Sequence, residues 1–222
     1  MSLLDTVEHQ SSPTPGFSII WLHGLGADGH DFEPIVPELA EPGWPALRFV
    51  FPHAPVRPVT VNGGMAMRAW YDIAGVEIAA KQDETGIRES IAGVEALIAR
   101  EVERGVPASR VVLAGFSQGG AIALSAGLRH AERLAGVVAL STYLPLHEKL
   151  AAERSEANRD VPVFQAHGRH DPVVPITLGT ASRDWLDGLG YTVAWHEYPM
   201  AHQICGAEIA DLRAWLGARF AS

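Results

Sequence analysis

Residues 115–119 read Gly-Phe-Ser-Gln-Gly, a G-x-S-x-G pattern that follows the apolar run 111–114 and precedes the Ala-rich stretch 121–128. That placement predicts a serine on a tight strand-to-helix turn, with its oxygen exposed and a helix N-terminus beneath it. Flanking glycines let the two backbones pass closely, while the serine takes a strained conformation. The chemistry this suits is nucleophilic attack by the Ser117 alcohol. Ser125 falls within the following helix and reads as packing.

A serine alcohol is a poor nucleophile until an imidazole takes its proton. In elbow enzymes the chain order is serine, then carboxylate, then histidine, so only histidines after Ser117 qualify. His130, His147 and His196 have no carboxylate placed for the role. His202 lies in EYPMAHQIC at 197–205, just after the last strand and before the last helix. One strand earlier, PVFQAHG at 162–168 leads into RHDPVVP, which places Asp171 in a post-strand loop. Its role would be to fix the tautomer of His202 and stabilise the imidazolium. His167 and His170 are nearer to Asp171 in sequence and offer a competing local pair, with His167 also readable as a structural histidine. Asp184 and Asp187 fall on a helix pattern and read as solvated.

Acyl transfer also needs donors aimed at the developing oxyanion. The backbone N–H of Gln118 is one, and Leu25, in the glycine-rich LHGLGADGHDF at 22–32, would supply the second. Loss of one such donor typically costs roughly 10²–10³ in rate. The same loop contains Gly24, Gly26 and Gly29 in dinucleotide spacing, G-x-G-x-x-G. It carries no lysine for a phosphate, and the next strand, 47–51, ends without the acidic residue a ribose would need.

Such residues must be carried by strand ends. Apolar runs at 17–22, 47–51, 110–115, 135–140, 162–166 and 191–196 predict strands. Helical patterns fall at 31–40, 83–104, 118–130, 175–188 and 206–219. The clearest is 83–104, with Ile87, Ile91, Val94, Ile98 and Val102 on one face and Asp83 or Glu84 at the positive end. Strands alternating with helices predict an α/β fold, a mostly parallel sheet covered on both faces, with its site at the carboxyl ends of the strands. Asn62-Gly63 between two short apolar runs predicts a hairpin, either beside the site or as an inert surface feature.

The chain has 222 residues, with 17 Lys plus Arg against 26 Asp plus Glu, a net charge of −9. That balance argues against a nucleic-acid backbone as partner and leaves no basic cluster for an anionic membrane. The uncharged run 111–128 is long enough to suggest a membrane span, but Gly115, Gly119 and Gly120 divide it into strand, turn and helix. With charged residues at 19% the chain has ample material for a core. No linker is apparent, so one domain over 1–222 is expected, its residues 1–15 poorly ordered or forming an edge strand. A lone cysteine, Cys205, and the absence of a signal-like N-terminus fit a cytoplasmic location.

Taken in order, WLHGLGADGHDF at 21–32, RPVTVNGGMAMRAWYDI at 57–73, GFSQGG at 115–120, LSTYLPL at 140–146, HGRHDPVVP at 167–175 and EYPMAHQIC at 197–205 resemble the phospholipase/carboxylesterase family of small α/β-hydrolases. The similarity runs from about Phe17 to Phe220. The family includes bacterial carboxylesterases and eukaryotic acyl-protein thioesterases, and the 57–64 run is more like the bacterial branch. The resemblance implies an α/β-hydrolase fold without a large cap domain, a Ser117–Asp171–His202 triad with Leu25 and Gln118 as oxyanion donors, and no metal or organic cofactor. It also implies an acyl groove near Ile73, Tyr143 and Val173. Two departures bear on that expectation: Ala201 stands before the histidine where glycine is frequent, and Arg68-Ala69 precede Trp70 where proline or serine is common.

The expected activity is therefore hydrolysis of short-to-medium acyl esters, with longer acyl thioesters or lysophospholipids as the alternative. A non-catalytic binding module is the reading of another class, disfavoured because every expected catalytic residue is in place. An uncovered apolar groove could also support a homodimer. A histidine base predicts activity declining as pH falls through roughly 6–7, where free imidazole titrates.

Overall fold

A computed structural model describes residues 3–75 and 82–221. Seven strands form one sheet in the order β1-β3-β2-β6-β7-β8-β9. Strand β1 (Thr6–Gln10) runs antiparallel to β3 (Leu47–Pro52), so the N-terminal segment supplies an edge strand. The remaining members, β2 (Phe17–Leu22), β6 (Val111–Phe116), β7 (Gly136–Leu140), β8 (Val163–Gly168) and β9 (Val193–Tyr198), are parallel.

Alternate residues of a strand face opposite sides, and the two cores follow that rule. Ile20 and Leu22 of β2 join a cluster with α2 (Glu84–Glu103) and α3 (Gln118–Gly127). Ile19 and Trp21 join the opposite cluster with α1 (Val36–Leu39) and α6 (Gly206–Phe220). Helices α4 (His147–Glu153) and α5 (Ile176–Gly188) add Leu150 and Leu186 to the first. Burial of both sheet faces explains why the central strands read as unbroken apolar runs.

Several expected boundaries shift. The 31–40 helix is a 3₁₀ turn, Glu33–Ile35, followed by the single turn α1, since Pro34 and Pro37 limit the backbone donors. The 118–130 helix ends at Gly127, and the last strand lies two residues later than expected. In α2 the buried stripe takes Leu97 rather than Val102, which is exposed. Asp83 caps that helix by accepting from the Gly86 N–H. Residues 111–128 are β6, a turn and α3, and among the described residues no helix is long and apolar enough to cross a membrane.

The hairpin exists as β4 (Val56–Val59) paired with β5 (Met65–Arg68), closed by a 3₁₀ turn and the left-handed Gly63. It is fastened to the loop after β2, where the Gly26 N–H donates to the Arg68 carbonyl at 2.9 Å.

Candidate active site

Strand register decides which loops meet. Leu22 of β2 is paired with Gly115 of β6, so the glycine-rich loop and the G-x-S-x-G turn leave the sheet side by side. At Gly119 a Cβ would collide with the Leu22 and His23 carbonyl oxygens, which is why glycine follows Gln118 at the start of α3. Ser117 occupies the turn at φ 54, ψ −122, a conformation that costs a non-glycine residue about 1–3 kcal/mol. It stands at the N-cap position of α3 without capping the helix. Its Oγ instead lies 2.9 Å from Nε2 of His202. The Ser117 carbonyl accepts from Thr142 Oγ1 at 2.6 Å, just beyond the left-handed Ser141, which helps hold the strained turn.

The second half of the site comes from β8 and β9. Gly168 is paired with Tyr198, and a Cβ on Gly168 would strike the Met200 and Ala201 carbonyls. The loops beyond are joined by Arg169 N–H to the Tyr198 carbonyl and His170 N–H to the Met200 carbonyl. They bring Asp171 Oδ2 to 2.7 Å from His202 Nδ1. The other oxygen, Oδ1, accepts from the Val173 and Val174 N–H groups at 2.8 and 2.9 Å. The exposed side chain of Ala201, at ordinary negative φ, shows that glycine is not required before His202.

These contacts assign protons. Nδ1 of His202 faces a carboxylate and must donate, so in the neutral ring Nε2 accepts from the Ser117 hydroxyl. His202 is partly exposed while the Asp171 side chain is enclosed, so the ring can reach a substrate and its anchor stays dry. Phe116 packs on the His202 ring at 4.7 Å.

The competing histidine is occupied elsewhere. His167 donates from Nε2 to the Val174 carbonyl at 2.8 Å and lies 3.6 Å from Asp171. Burial lowers its pKa, which disfavours a charged partner for that carboxylate. His170 is exposed. His23, buried beside the glycine-rich loop, bonds the Gly24 carbonyl through Nδ1 and the Ala54 N–H through Nε2, and burial lowers its pKa too.

The Gln118 N–H is at the first position of α3, where no preceding helical carbonyl can receive it. Among the described residues neither it nor the Leu25 N–H is bonded to a backbone carbonyl. The two segments pack side by side at Gly24, where a Cβ would make ordinary contact with Phe116 and Ser117. The Gln118 side chain has a further role that sequence reasoning did not find. Its Oε1 accepts from the Trp70 N–H and its Nε2 donates to the Tyr71 carbonyl, both at 2.7 Å. Gln118 and Trp70 both sit in motifs visible in the sequence, but their contact spans 48 positions.

The expected groove residues are spread around this centre. Val173 is exposed on the loop beside Asp171. Tyr143 is buried after β7, its hydroxyl 3.0 Å from that of Tyr71, and burial pushes its pKa up to about 12. Ile73 pairs with Gln82 and is half-buried. The structure brings Ser117, His202 and Asp171 into direct contact, whereas among the described residues no hydrogen bond joins Ile73, Tyr143 or Val173 to Ser117. Among the described residues no group of three or more His, Cys, Asp or Glu side chains is arranged to hold a metal ion.

Comparison with known proteins gives the arrangement its context. The profile of the phospholipase/carboxylesterase family matches residues 6–219. Acyl-protein thioesterase 1 of Cryptococcus neoformans is 41% identical over 216 residues, covering 90% of each chain, and that of Neurospora crassa is 41% identical over 211 residues, covering 91% of this chain and 86% of the relative. Among solved structures, Arabidopsis thaliana SOBER1 superposes with a TM-score of 0.85 at 30% identity, covering 91% of this chain and 98% of its own. Zea mays acyl-protein thioesterase 2 gives 0.84 at 29% identity, covering 96% and 99%. The fold is that of the α/β-hydrolases, the chain is a serine-hydrolase-type enzyme, and it belongs to the phospholipase/carboxylesterase family.

Proposed function

We propose that this enzyme hydrolyses short-to-medium acyl esters through an acyl-enzyme formed on Ser117. The observation that carries the reading is the unbroken chain from Ser117 Oγ to His202 (2.9 Å) to Asp171 (2.7 Å). Ser117 Oγ attacks the ester carbonyl carbon as its proton passes to His202 Nε2. Negative charge moves to the carbonyl oxygen, where the Leu25 and Gln118 N–H groups receive it. The enclosed Asp171 carboxylate stabilises the imidazolium. Collapse breaks the bond to the leaving alcohol, which takes the Nε2 proton. Water then attacks the acyl-enzyme with His202 again as base, and the second collapse returns the proton to Ser117 and frees the carboxylic acid. Ile73, Tyr143 and Val173 are assigned to the acyl groove, and the lone Cys205 fits a cytoplasmic enzyme.

A second reading keeps the residues and changes the substrate. Relatives named acyl-protein thioesterases share 41% of their aligned residues with this chain, which favours an acyl group on sulfur, and the acyl chains of this reading are longer. The same steps serve, with a thiolate as the easier leaving group.

Initial rates on p-nitrophenyl esters from acetate to palmitate, beside an S-palmitoyl peptide, test both. A Ser117-dependent maximum at short or medium esters supports the first reading. A rise toward palmitate with rapid thioester cleavage selects the second. Rates unchanged in Ser117→Ala would reject both.

A further inference from the structure

Oxyanion donors on a glycine-rich loop have an inherent weakness. Rotating one peptide turns its N–H away, and glycines at 24 and 26 make that rotation inexpensive. Something must hold the Leu25 peptide in place, and it must hold it in register with Gln118.

The segment Arg68–Tyr71 contacts both. On the glycine-rich side, the Trp70 indole Nε1–H donates to the His23 carbonyl at 2.9 Å, and the Arg68 carbonyl accepts from the Gly26 N–H at 2.9 Å. These two bonds bracket Leu25, one on each flank. On the elbow side, the Trp70 N–H and Tyr71 carbonyl grip the two ends of the Gln118 side-chain amide. Trp70 is the residue common to both sides. It is wholly buried, its ring lies 5.3 Å from that of His23, and its own carbonyl accepts from Ser90 Oγ of α2. Trp70 thus stands on the rigid face of a twenty-residue helix and reaches both donor segments.

We propose that Trp70 is a positioning residue that sets the relative placement of the Leu25 and Gln118 N–H groups and so the strength of the oxyanion hole. This rests on the assignment of those two groups as donors. The hairpin beside the site thereby acquires a purpose, since β5 delivers Arg68 and Trp70 to the donor loops. Trp70 touches no reacting atom, so its effect falls on the transition state through the two backbone donors.

The test is Trp70→Phe, which keeps an aromatic ring and removes the indole donor, together with Gln118→Met, which keeps the backbone N–H and removes the side-chain clamp. The readouts are kcat, KM and the inhibition constant of an acyl trifluoromethyl ketone, which forms a tetrahedral adduct on the serine. Each variant should lose about 10- to 100-fold in kcat, less than the roughly 10²–10³ for outright loss of a donor. KM should stay within about threefold, and ketone affinity should fall by the same factor as kcat. The double variant should lose little more than the worse single one, because both act through one segment.

A folded Trp70→Phe enzyme with kcat within about twofold of wild type would overturn the proposal. So would a fall in kcat with ketone affinity unchanged, or fully additive losses in the double variant. Should Trp70→Phe fail to fold, Gln118→Met alone must show the matched loss of kcat and ketone affinity, and its absence there overturns the proposal equally. Failure of wild-type Ser117 to react with a fluorophosphonate would instead reject the nucleophile assignment beneath it.

Discussion

Asp171 meets His202 through one carboxylate oxygen only. Oδ2 accepts from Nδ1 at 2.7 Å, while Oδ1 is filled by the N–H groups of Val173 and Val174. The two backbone bonds fix the plane of the carboxylate, and the buried side chain leaves water no position from which to compete. Asp171 is therefore held by its own loop independently of His202, and the ring has one orientation that satisfies it.

Asp171→Asn keeps the shape and removes the charge. An amide Nδ2 facing His202 can donate to Nδ1 and so favours the tautomer that places a proton on Nε2, where Ser117 needs an acceptor. We expect kcat to fall roughly 10⁴-fold, with an unfolding temperature near that of the parent. Steady-state kinetics on the preferred ester check this, and a loss below about tenfold would contradict the orienting role.

Gly119 tests the packing that brings the two donor segments together. A methyl group there has nowhere to go, since it would meet the Leu22 and His23 carbonyls, which are backbone and cannot swing aside. Gly119→Ala should cost about 1–3 kcal/mol or more in stability and also depress kcat, because the strain pushes the Leu25 loop from the elbow. Urea unfolding and kinetics on the same sample read both effects. Wild-type stability would show that the close approach is not needed.

Glu208 is enclosed in the first turn of α6, and burial pushes its pKa from the ordinary 4.5 up to about 8. The raised value means the folded state keeps a proton that the unfolded chain has lost. The stability Glu208 contributes is full below about pH 4.5 and is lost as pH rises through about 8. Glu208→Gln carries no titrating group, so its stability relative to wild type should improve steadily from about pH 5 to about pH 8. Denaturant midpoints at several pH values measure this. A difference independent of pH would show that Glu208 is not the titrating group.

Much of the site is legible in the sequence because its chemistry sits at strand ends and strands announce themselves. Strand β2 falls on 17–22 as its apolar run predicts, and Ser117, Asp171 and His202 each follow a strand in the expected order. What stays hidden depends on contacts between distant segments. Gln118 offers its backbone N–H from position alone, but its side-chain clamp on Trp70 and Tyr71 needs the hairpin folded across the elbow. The 31–40 stretch misleads because its apolar spacing is helical while Pro34 and Pro37 withhold the donors a longer helix needs. Val102 continues the stripe of α2 by spacing, but the helix turns it outward and Leu97 takes the buried place.

Covalent labelling shows whether Ser117 is a nucleophile activated by His202. Purified enzyme is treated with a fluorophosphonate, and intact mass and peptide mapping locate the adduct. We predict one adduct per chain, on Ser117, absent in Ser117→Ala and formed far more slowly in His202→Ala. An unlabelled wild-type protein, or labelling that persists in Ser117→Ala, would show that Ser117 is not the activated nucleophile.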